Sequence, residues 1–176
     1  SLGAVVLDRR GLVAGVQLAV RTLVRLPGHE RLVRDLVARD LAGVRRTPTK
    51  TRAGEVFVYA PPDETAQEMA RLTSELDSTD FCSAHPIAQA AYAHYAFVTV
   101  HPFADGNGRV ARLLASIFLL RATSTPLLIW SDQKNSYLDS LAAADGGDVS
   151  AFQRFVFDCT VNALYEFSFR LRAASR

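Results

Sequence analysis

The chain of 176 residues lacks features that several protein classes require. It has only two cysteines, Cys82 and Cys159, and no second cysteine at metal-ligand spacing from either, which excludes a disulfide-stapled miniprotein. We expect both to be reduced core residues of a cytoplasmic protein. The longest apolar runs, residues 113–120 and 126–130, are too short to cross a bilayer, so no membrane partner is expected.

An excess of charge of one sign is also missing. Twenty Lys and Arg residues face 18 Asp and Glu residues, a formal net charge of +2 that argues against a specific nucleic-acid partner. Only Lys50 and Lys134 are lysines, so almost all of the positive charge is on arginine guanidinium groups. A guanidinium can bind a phosphate through two parallel hydrogen bonds, which a lysine ammonium does less well. The hydrophobic fraction of 49% is enough for the core of about one domain.

Apolar residues recur at helical spacing along most of the chain. Seven segments show this pattern: residues 12–23, 32–41, 63–76, 86–97, 107–120, 137–141 and 152–164. A loop is expected at 77–83, and Asp132 is the expected N-cap of the helix that follows it. Residues 55–59 have high β propensity and end at a Pro-Pro pair, which predicts a short strand or hairpin. The predicted class is all-α with one small β element.

The segment most informative about function is residues 101–112, His-Pro-Phe-Ala-Asp-Gly-Asn-Gly-Arg-Val-Ala-Arg. Glycines on both sides of Asn107 allow backbone amides at a helix start to approach an anion, and the helix dipole favours a phosphate there. Arg109 and Arg112 are three residues apart, so they project from the same side of the first turns. Together these features indicate a phosphate clamp.

Two further side chains in this segment supply reactive groups. Asp105 can hold Mg²⁺, which prefers one or two carboxylates together with phosphate oxygens. His101, placed by the rigid Pro102, can act as a general base near neutral pH. Each residue alone is more often structural, as a packed histidine, a helix cap or a surface charge. Their combination within one short segment predicts a phosphate-transfer site.

The same segment resembles the signature of the Fic (Fido) family, HPFx[D/E]GNGRxxR, at every specified position. Residues 86–100 resemble the helix before that signature, and residues 54–59 resemble the family's β-hairpin flap. Residues 137–141 are similar to its Tyr-Tyr-x-x-Leu stretch, with Leu in place of the second Tyr. The resemblance implies a compact helical bundle with one β-hairpin, in which residues 30–172 form the catalytic domain and residues 1–29 a helical segment packed on it.

What the resemblance implies about activity is transfer of AMP from ATP to a Ser, Thr or Tyr hydroxyl of a target protein, with release of pyrophosphate. His101 would be the base, Asp105 the Mg²⁺ ligand and Phe103 a buried anchor. Tyr137 would lie on the adenine side. The phosphates would be held by the residues of the helix start: Gly106, Asn107, Gly108, Arg109 at the β-phosphate and Arg112 at the γ-phosphate. An extended target segment would dock on the flap residues Val56, Phe57, Val58 and Tyr59.

Several alternatives stay open at this point. Related enzymes transfer UMP or another phosphate-containing group, and a non-catalytic nucleotide-binding regulator is a second class. A helical DNA-binding domain is a third, which the small net charge disfavours. The oligomeric state is also open.

Control of the activity is a separate question. Fic proteins commonly carry an inhibitory pattern, [S/T]xxxE[G/N], and no Glu of this chain is followed by Gly or Asn. Glu166, with Asn162 four residues before it, is a poor near-match. We therefore expect no internal inhibition; inhibition would come from a separate, antitoxin-like partner or from a segment outside this sequence.

Overall fold

The computed structural model describes residues 49–52, 55–59 and 61–174, which are mostly helical. The expected class, all-α with one small β element, is confirmed. The predicted helices at 12–23 and 32–41 and the N-terminal segment 1–29 lie outside the described residues. In chain order the elements are β1 Thr49–Arg52, β2 Glu55–Val58, α1 Thr65–Leu76, α2 Thr79–Ser83, α3 Pro86–Val100, α4 Asn107–Thr123, a 3₁₀ turn Ser131–Gln133, α5 Lys134–Asp145 and α6 Val149–Ala174.

The β element consists of β1 and β2, paired antiparallel from Thr49 opposite Val58 to Arg52 opposite Glu55. The pairing stops shortly before Pro61, the first residue of a Pro-Pro pair. Proline has no N–H to donate to a ladder, so the sequence itself limits the length of β2.

Helix α1 buries one face and is followed by a short helix. Its buried residues, Thr65, Met69, Leu72 and Leu76, have the spacing that the sequence pattern predicts. The loop expected at 77–83 is confined to residues 77 and 78, and residues 79–83 form helix α2 instead. The Ser78 hydroxyl accepts a hydrogen bond from the Phe81 N–H at 3.2 Å and so caps a helix that is too short to show periodicity.

The described residues form two compact units, and α3 and α4 each contribute to both. The first unit joins the described residues before Ser83 with residues Ala96–Val110. Phe97 near the end of α3 and Phe103 in the loop after it are both buried, with ring centroids 6.1 Å apart. This contact anchors the loop that precedes α4.

The second unit joins Ser83–Tyr95 with the chain from Ala111 onward, and α5 packs against α6 within it. The buried face of α6 follows helical spacing as predicted and comprises Phe152, Phe155, Val156, Cys159, Thr160 and Ala163. Leu164, expected on this face, is exposed instead. It is only one residue beyond Ala163, and one residue turns the helix surface by about 100°.

Two single-residue expectations are also corrected. Asp132 does not cap α5: it lies in the 3₁₀ turn, where the longer Gln133 side chain reaches back so that its Oε1 accepts the Trp130 N–H at 2.9 Å. Cys82 is exposed on the short α2 rather than buried, whereas Cys159 is buried as expected. Burial, with a smaller contribution from the Asp158 charge, raises the pKa of the Cys159 thiol to about 11.

Within the described ranges, none of the helices combines the length and the apolarity needed to cross a membrane.

Candidate active site

The position of the His101 ring follows from the proline that comes after it. In α3 the carbonyl of Val98 would accept the N–H of residue 102, but that residue is proline and has none. The imidazole Nδ1 of His101 lies 3.1 Å from this carbonyl oxygen. Because a carbonyl only accepts, Nδ1 carries the hydrogen and the neutral ring has its lone pair on Nε2. The His-Pro pair therefore sets the tautomer that a general base needs.

The backbone of His101 adopts a conformation that side chains other than glycine rarely take. Its φ is +52°, in the left-handed region, immediately after the last residue of α3. The His101 N–H still donates to the Phe97 carbonyl at 3.0 Å, so the chain leaves the helix at this residue. Such conformations persist where surrounding contacts impose them, and they concentrate at functional sites.

The ring of Tyr59 lies against the face of the His101 imidazole. The two ring centroids are 4.2 Å apart and the planes differ by 23°, a stacked arrangement. Tyr59 is buried and comes directly after β2 rather than within it, which corrects its expected place on the flap strand. Its side chain packs on the predicted base instead of lying along the strand.

Asn107 closes the loop between His101 and α4. Its buried side chain accepts the Phe103 N–H at 2.9 Å and donates to the Phe103 carbonyl at 2.8 Å. The carboxamide thus satisfies both backbone groups of a buried residue, which would otherwise be costly to bury. Phe103 itself is buried, as expected of the anchor. The phosphate contact expected of Asn107 stays a prediction, and the structure adds a loop-closing role.

The start of α4 presents amides that have no acceptor within the helix. Its first i to i−4 bond runs from the Val110 N–H to the Gly106 carbonyl at 3.0 Å, so the three N–H groups before Val110 precede the ladder. Gly106 has φ +85°, which a residue with a Cβ adopts only with strain. The reversed turn at Gly106 places Asn107 and Gly108 in the first turn of the helix.

Asp105 and Arg109 are paired with each other across the helix start. The distance from Asp105 Oδ2 to an Arg109 guanidinium nitrogen is 3.1 Å, and the side chains are 80% and 46% exposed. An exposed pair of this kind contributes little to stability, about 0–1 kcal/mol. Breaking this pair, so that the carboxylate binds a cation and the guanidinium a phosphate, would therefore cost little free energy.

Arg112 lies in the part of α4 that belongs to the second unit, where its charge reaches His94 of α3. His94 is 0% exposed, and within the described part of the chain neither of its ring nitrogens has a hydrogen-bond partner. The Tyr137 ring meets it edge-on at 5.7 Å, and the Phe152 ring lies at 5.1 Å. Burial, and then the Arg112 charge, lower the pKa of His94 to about 3.

This buried histidine predicts loss of stability in acid. In the unfolded chain His94 binds a proton below its ordinary pKa of 6.5, whereas in the folded state it stays neutral down to about 3. The free energy of unfolding should therefore fall as the pH drops below 6.5, by about 2–3 kcal/mol at pH 4.5 from this residue. The check is urea unfolding at pH 7.5 and 4.5.

The matched variants for this measurement are two histidine replacements. His94→Phe keeps an aromatic ring beside Tyr137 and should flatten the pH dependence by that amount. His85→Gln changes an exposed histidine and should keep the wild-type dependence. Equal pH dependence in the wild type and His94→Phe would contradict the assignment.

The remaining predicted residues fall in both units. Tyr137 is half-buried on α5, with ring contacts to His94, Phe152 and Phe155 in the second unit. Its expected place beside adenine stays a prediction. Of the flap residues, Val58 is 68% exposed, and the ring of the half-buried Phe57 lies 4.9 Å from that of Tyr59. Val56 belongs to β2.

Sequence reasoning missed three features: the contact of the Val98 carbonyl with His101, the stacking of Tyr59 on His101, and the burial of His94 without a hydrogen-bond partner among the described residues. The first had a readable signal, because a helical carbonyl four residues before a proline needs another donor. Tyr59 and His94 had none, since their partners come from elsewhere in the chain and only the folded structure joins them.

The geometry agrees with what comparison with known proteins finds. Residues 26–119 match the sequence model of the Fic/DOC family. A protein of Drosophila persimilis named "Protein adenylyltransferase Fic" is 42% identical over 117 residues, covering 64% of this chain and 23% of that protein. One of the same name from Drosophila grimshawi is 35% identical over 157 residues, covering 87% and 31%. The chain thus spans a quarter to a third of the length of these curated relatives.

Solved structures agree with the sequence match. A Fic-domain-containing signaling protein from Bacteroides thetaiotaomicron superposes with a TM-score of 0.68 at 27% identity, over 87% of this chain and 66% of that one. A Fic family protein from Desulfovibrio desulfuricans gives a TM-score of 0.68 at 26% identity, over 89% and 51%. The Fic/DOC sequence model matches more than half of the residues of this chain, so the chain belongs to the Fic/DOC family.

Proposed function

We propose that this chain is a protein adenylyltransferase, which transfers AMP from ATP to a Ser, Thr or Tyr hydroxyl of a target protein. The observation that carries the proposal is the bond between His101 Nδ1–H and the Val98 carbonyl, which leaves the lone pair of the neutral ring on Nε2. The base then lies next to an anion-binding helix start in one continuous segment. The name of the Drosophila relatives supports the same chemistry.

In the proposed reaction the target hydroxyl oxygen attacks the α-phosphorus of ATP. A new O–P bond forms, the bond from that phosphorus to the β-phosphate oxygen breaks, and pyrophosphate leaves. His101 Nε2 takes the hydroxyl proton as the attack proceeds. Phosphoryl transfer of this kind requires little covalent chemistry from the protein, so alignment and charge neutralisation supply most of the catalysis.

The phosphates are the expected ligands of the α4 start. The amides around Gly106 and Gly108 offer donors at the positive end of the helix dipole. Arg109 would release Asp105 and bind the β-phosphate instead. This hydrogen bond between fully charged groups is stronger when it is shielded from water. Arg112, one turn further along α4, would contact the γ-phosphate.

Magnesium is the metal that this donor set fits. The described residues include no group of three or more acidic, histidine or cysteine side chains that could cage a metal ion. Mg²⁺ does not need such a cage, because it is typically bound through one or two carboxylates and the substrate phosphates. Asp105, whose carboxylate is largely exposed at the helix start, would hold it. The ion would neutralise phosphate charge.

The flap would present the target. Strand β2 pairs with β1 along one edge, and an extended target segment would add to it by backbone hydrogen bonds. The residues proposed for docking are Val56, Phe57 and Val58. Recognition through backbone groups places few demands on the target side chains, so one flap can present different hydroxyls.

Intact-mass analysis tests this function. The protein is incubated with Mg²⁺, a cell lysate as the source of hydroxyls and either ATP or UTP, and modified proteins are identified by the added mass. We expect adenylate addition with ATP, addition that is about 10²–10⁴-fold slower with His101→Ala, and loss of addition in EDTA that excess Mg²⁺ restores. Uridylate addition would support the alternative transferase, and nucleotide binding without any addition would support a non-catalytic regulator.

The Arg112 assignment predicts a difference between two nucleotides. Arg112→Ala should lower the affinity for ATP by about 10- to 150-fold, because a charge-assisted hydrogen bond contributes about 1.5–3 kcal/mol. The affinity for AMP, which has no γ-phosphate, should change by less than about 2-fold. Isothermal titration with both nucleotides measures this, and Arg121→Ala in the last turn of α4 is the matched control. Equal losses for ATP and AMP would refute the assignment.

Glu166 is not expected to inhibit the activity from within the chain. Glu166 lies on an exposed face of α6, and its surroundings do not match the inhibitory pattern. Glu166→Gly should therefore leave ATP affinity and self-modification within about 2-fold of wild type, a change of less than about 0.5 kcal/mol. A gain of about 10-fold or more would show that Glu166 acts as an internal inhibitor. The proposed inhibitor is instead a separate, antitoxin-like protein whose carboxylate would pair with Arg112.

A further inference from the structure

We propose that Tyr59 is a positioning residue for the base: its ring holds the plane of the His101 imidazole so that Nε2 keeps its direction. The inference rests on the proposed function for its effect on rate. Its structural content, the orientation and tautomer of a ring, is independent of any activity.

Two contacts act on the His101 ring from different directions. The bond from Nδ1 to the Val98 carbonyl, 3.1 Å, fixes one edge of the ring. A hydrogen bond at one edge does not by itself stop a ring from turning about the last side-chain torsion, which is a broad and soft rotation for histidine. The Tyr59 ring covers one face at 4.2 Å with planes 23° apart, and a flat stacked neighbour opposes that rotation.

The backbone conformation of His101 explains why its ring needs support from a neighbouring side chain. His101 sits at φ +52° after the end of α3, where neighbouring contacts must hold a conformation that the residue does not favour. Tyr59 is buried, and the Phe57 ring two residues earlier lies 4.9 Å from it. Residues i and i+2 of an extended segment share a face, so the same face of the flap that carries Phe57 continues onto the base.

Two variants separate the ring from the hydroxyl of Tyr59. Tyr59→Phe and Tyr59→Met both remove the hydroxyl, but only Tyr59→Met removes the flat ring, and its flexible chain still fills the space. We expect Tyr59→Phe to transfer adenylate within about 2-fold of wild type. Tyr59→Met should lower kcat by about 10- to 100-fold, since small misplacements of a reacting group have effects of that size, while ATP affinity stays within about 2-fold.

The decisive readout is the long-range ¹H–¹⁵N spectrum of His101, which distinguishes the Nδ1–H from the Nε2–H tautomer. The wild type and Tyr59→Phe should show the Nδ1–H form, and Tyr59→Met a mixture of the two. Tyr92→Leu, which removes an exposed tyrosine of α3, is the control and should give the wild-type spectrum.

Each failure has its own signature in this design. An unchanged tautomer and unchanged kcat in Tyr59→Met would overturn the positioning role. Absence of adenylate transfer in the wild type would overturn the proposed function, while the tautomer spectra would still decide the role of Tyr59. If Tyr59→Met does not fold, Tyr59→Phe still decides: a kcat loss above 10-fold there would overturn the claim that the ring, not the hydroxyl, acts.

Discussion

Replacing His101 with alanine is expected to lower the rate of adenylate transfer by about 10²–10⁴-fold, the usual contribution of a positioned general base. ATP affinity should stay within about 2-fold, because the imidazole bonds to the Val98 carbonyl and stacks on Tyr59 rather than holding phosphate. Transfer is measured in single turnover and binding by titration calorimetry, on the same protein preparation.

The control for this experiment is His85→Ala, which removes an exposed histidine just before α3 and should keep the wild-type rate. Transfer by His101→Ala at more than about a tenth of the wild-type rate would exclude His101 as the base, since that effect is far below the range for general base catalysis. A parallel loss of ATP affinity would instead point to a role in binding.

The second large effect is expected at Asn107. Asn107→Ala leaves the buried N–H and carbonyl of Phe103 without the partners that now lie at 2.9 and 2.8 Å. Each unsatisfied buried group costs about 1–3 kcal/mol, so the loss of both partners should lower the free energy of unfolding by about 2–6 kcal/mol. The loop that carries Asp105 and Gly106 would lose its closure, and transfer should fall strongly as well.

Chemical denaturation gives the stability term, and Asn162→Ala is the matched control. Asn162 is an exposed asparagine on α6, so its replacement should change stability by less than about 0.5 kcal/mol. A loss of less than about 1 kcal/mol for Asn107→Ala would show that the two hydrogen bonds are not needed to close the loop. Full stability with lost transfer would support the phosphate contact as the only role of Asn107.

Much of the predicted site lies within one short segment, and that is why the sequence could indicate it. The loop, the start of α4 and Arg109 are neighbours in the chain, so residue type and spacing alone predict their order. The burial of Phe103 and the paired strands before Pro61 were also predictable, because apolar character and β propensity are local properties.

Two kinds of feature could not be predicted from the sequence: contacts between residues distant in the chain, and the choice between neighbouring residues for the same structural position. Tyr59 meets His101 only because the chain after β2 returns to the end of α3, which no periodicity encodes. His94 reads as one more position on a helical stripe, and its buried, unpartnered nitrogens are a property of packing. Asp132 and Gln133 are adjacent polar residues that could each occupy the N-cap of α5, and residue preferences do not decide between them.

The most direct test of the central claim follows the two ends of the ATP phosphate chain at once. The protein, Mg²⁺ and a protein acceptor are incubated with ATP labelled at either the α- or the γ-phosphorus. Attack at the α-phosphorus with the proton taken by His101 predicts α-label on the acceptor and one pyrophosphate released for each label, with both rates about 10²–10⁴-fold lower in His101→Ala. Label on the acceptor from the γ-phosphorus, or α-label transfer by His101→Ala at more than about a tenth of the wild-type rate, would contradict it.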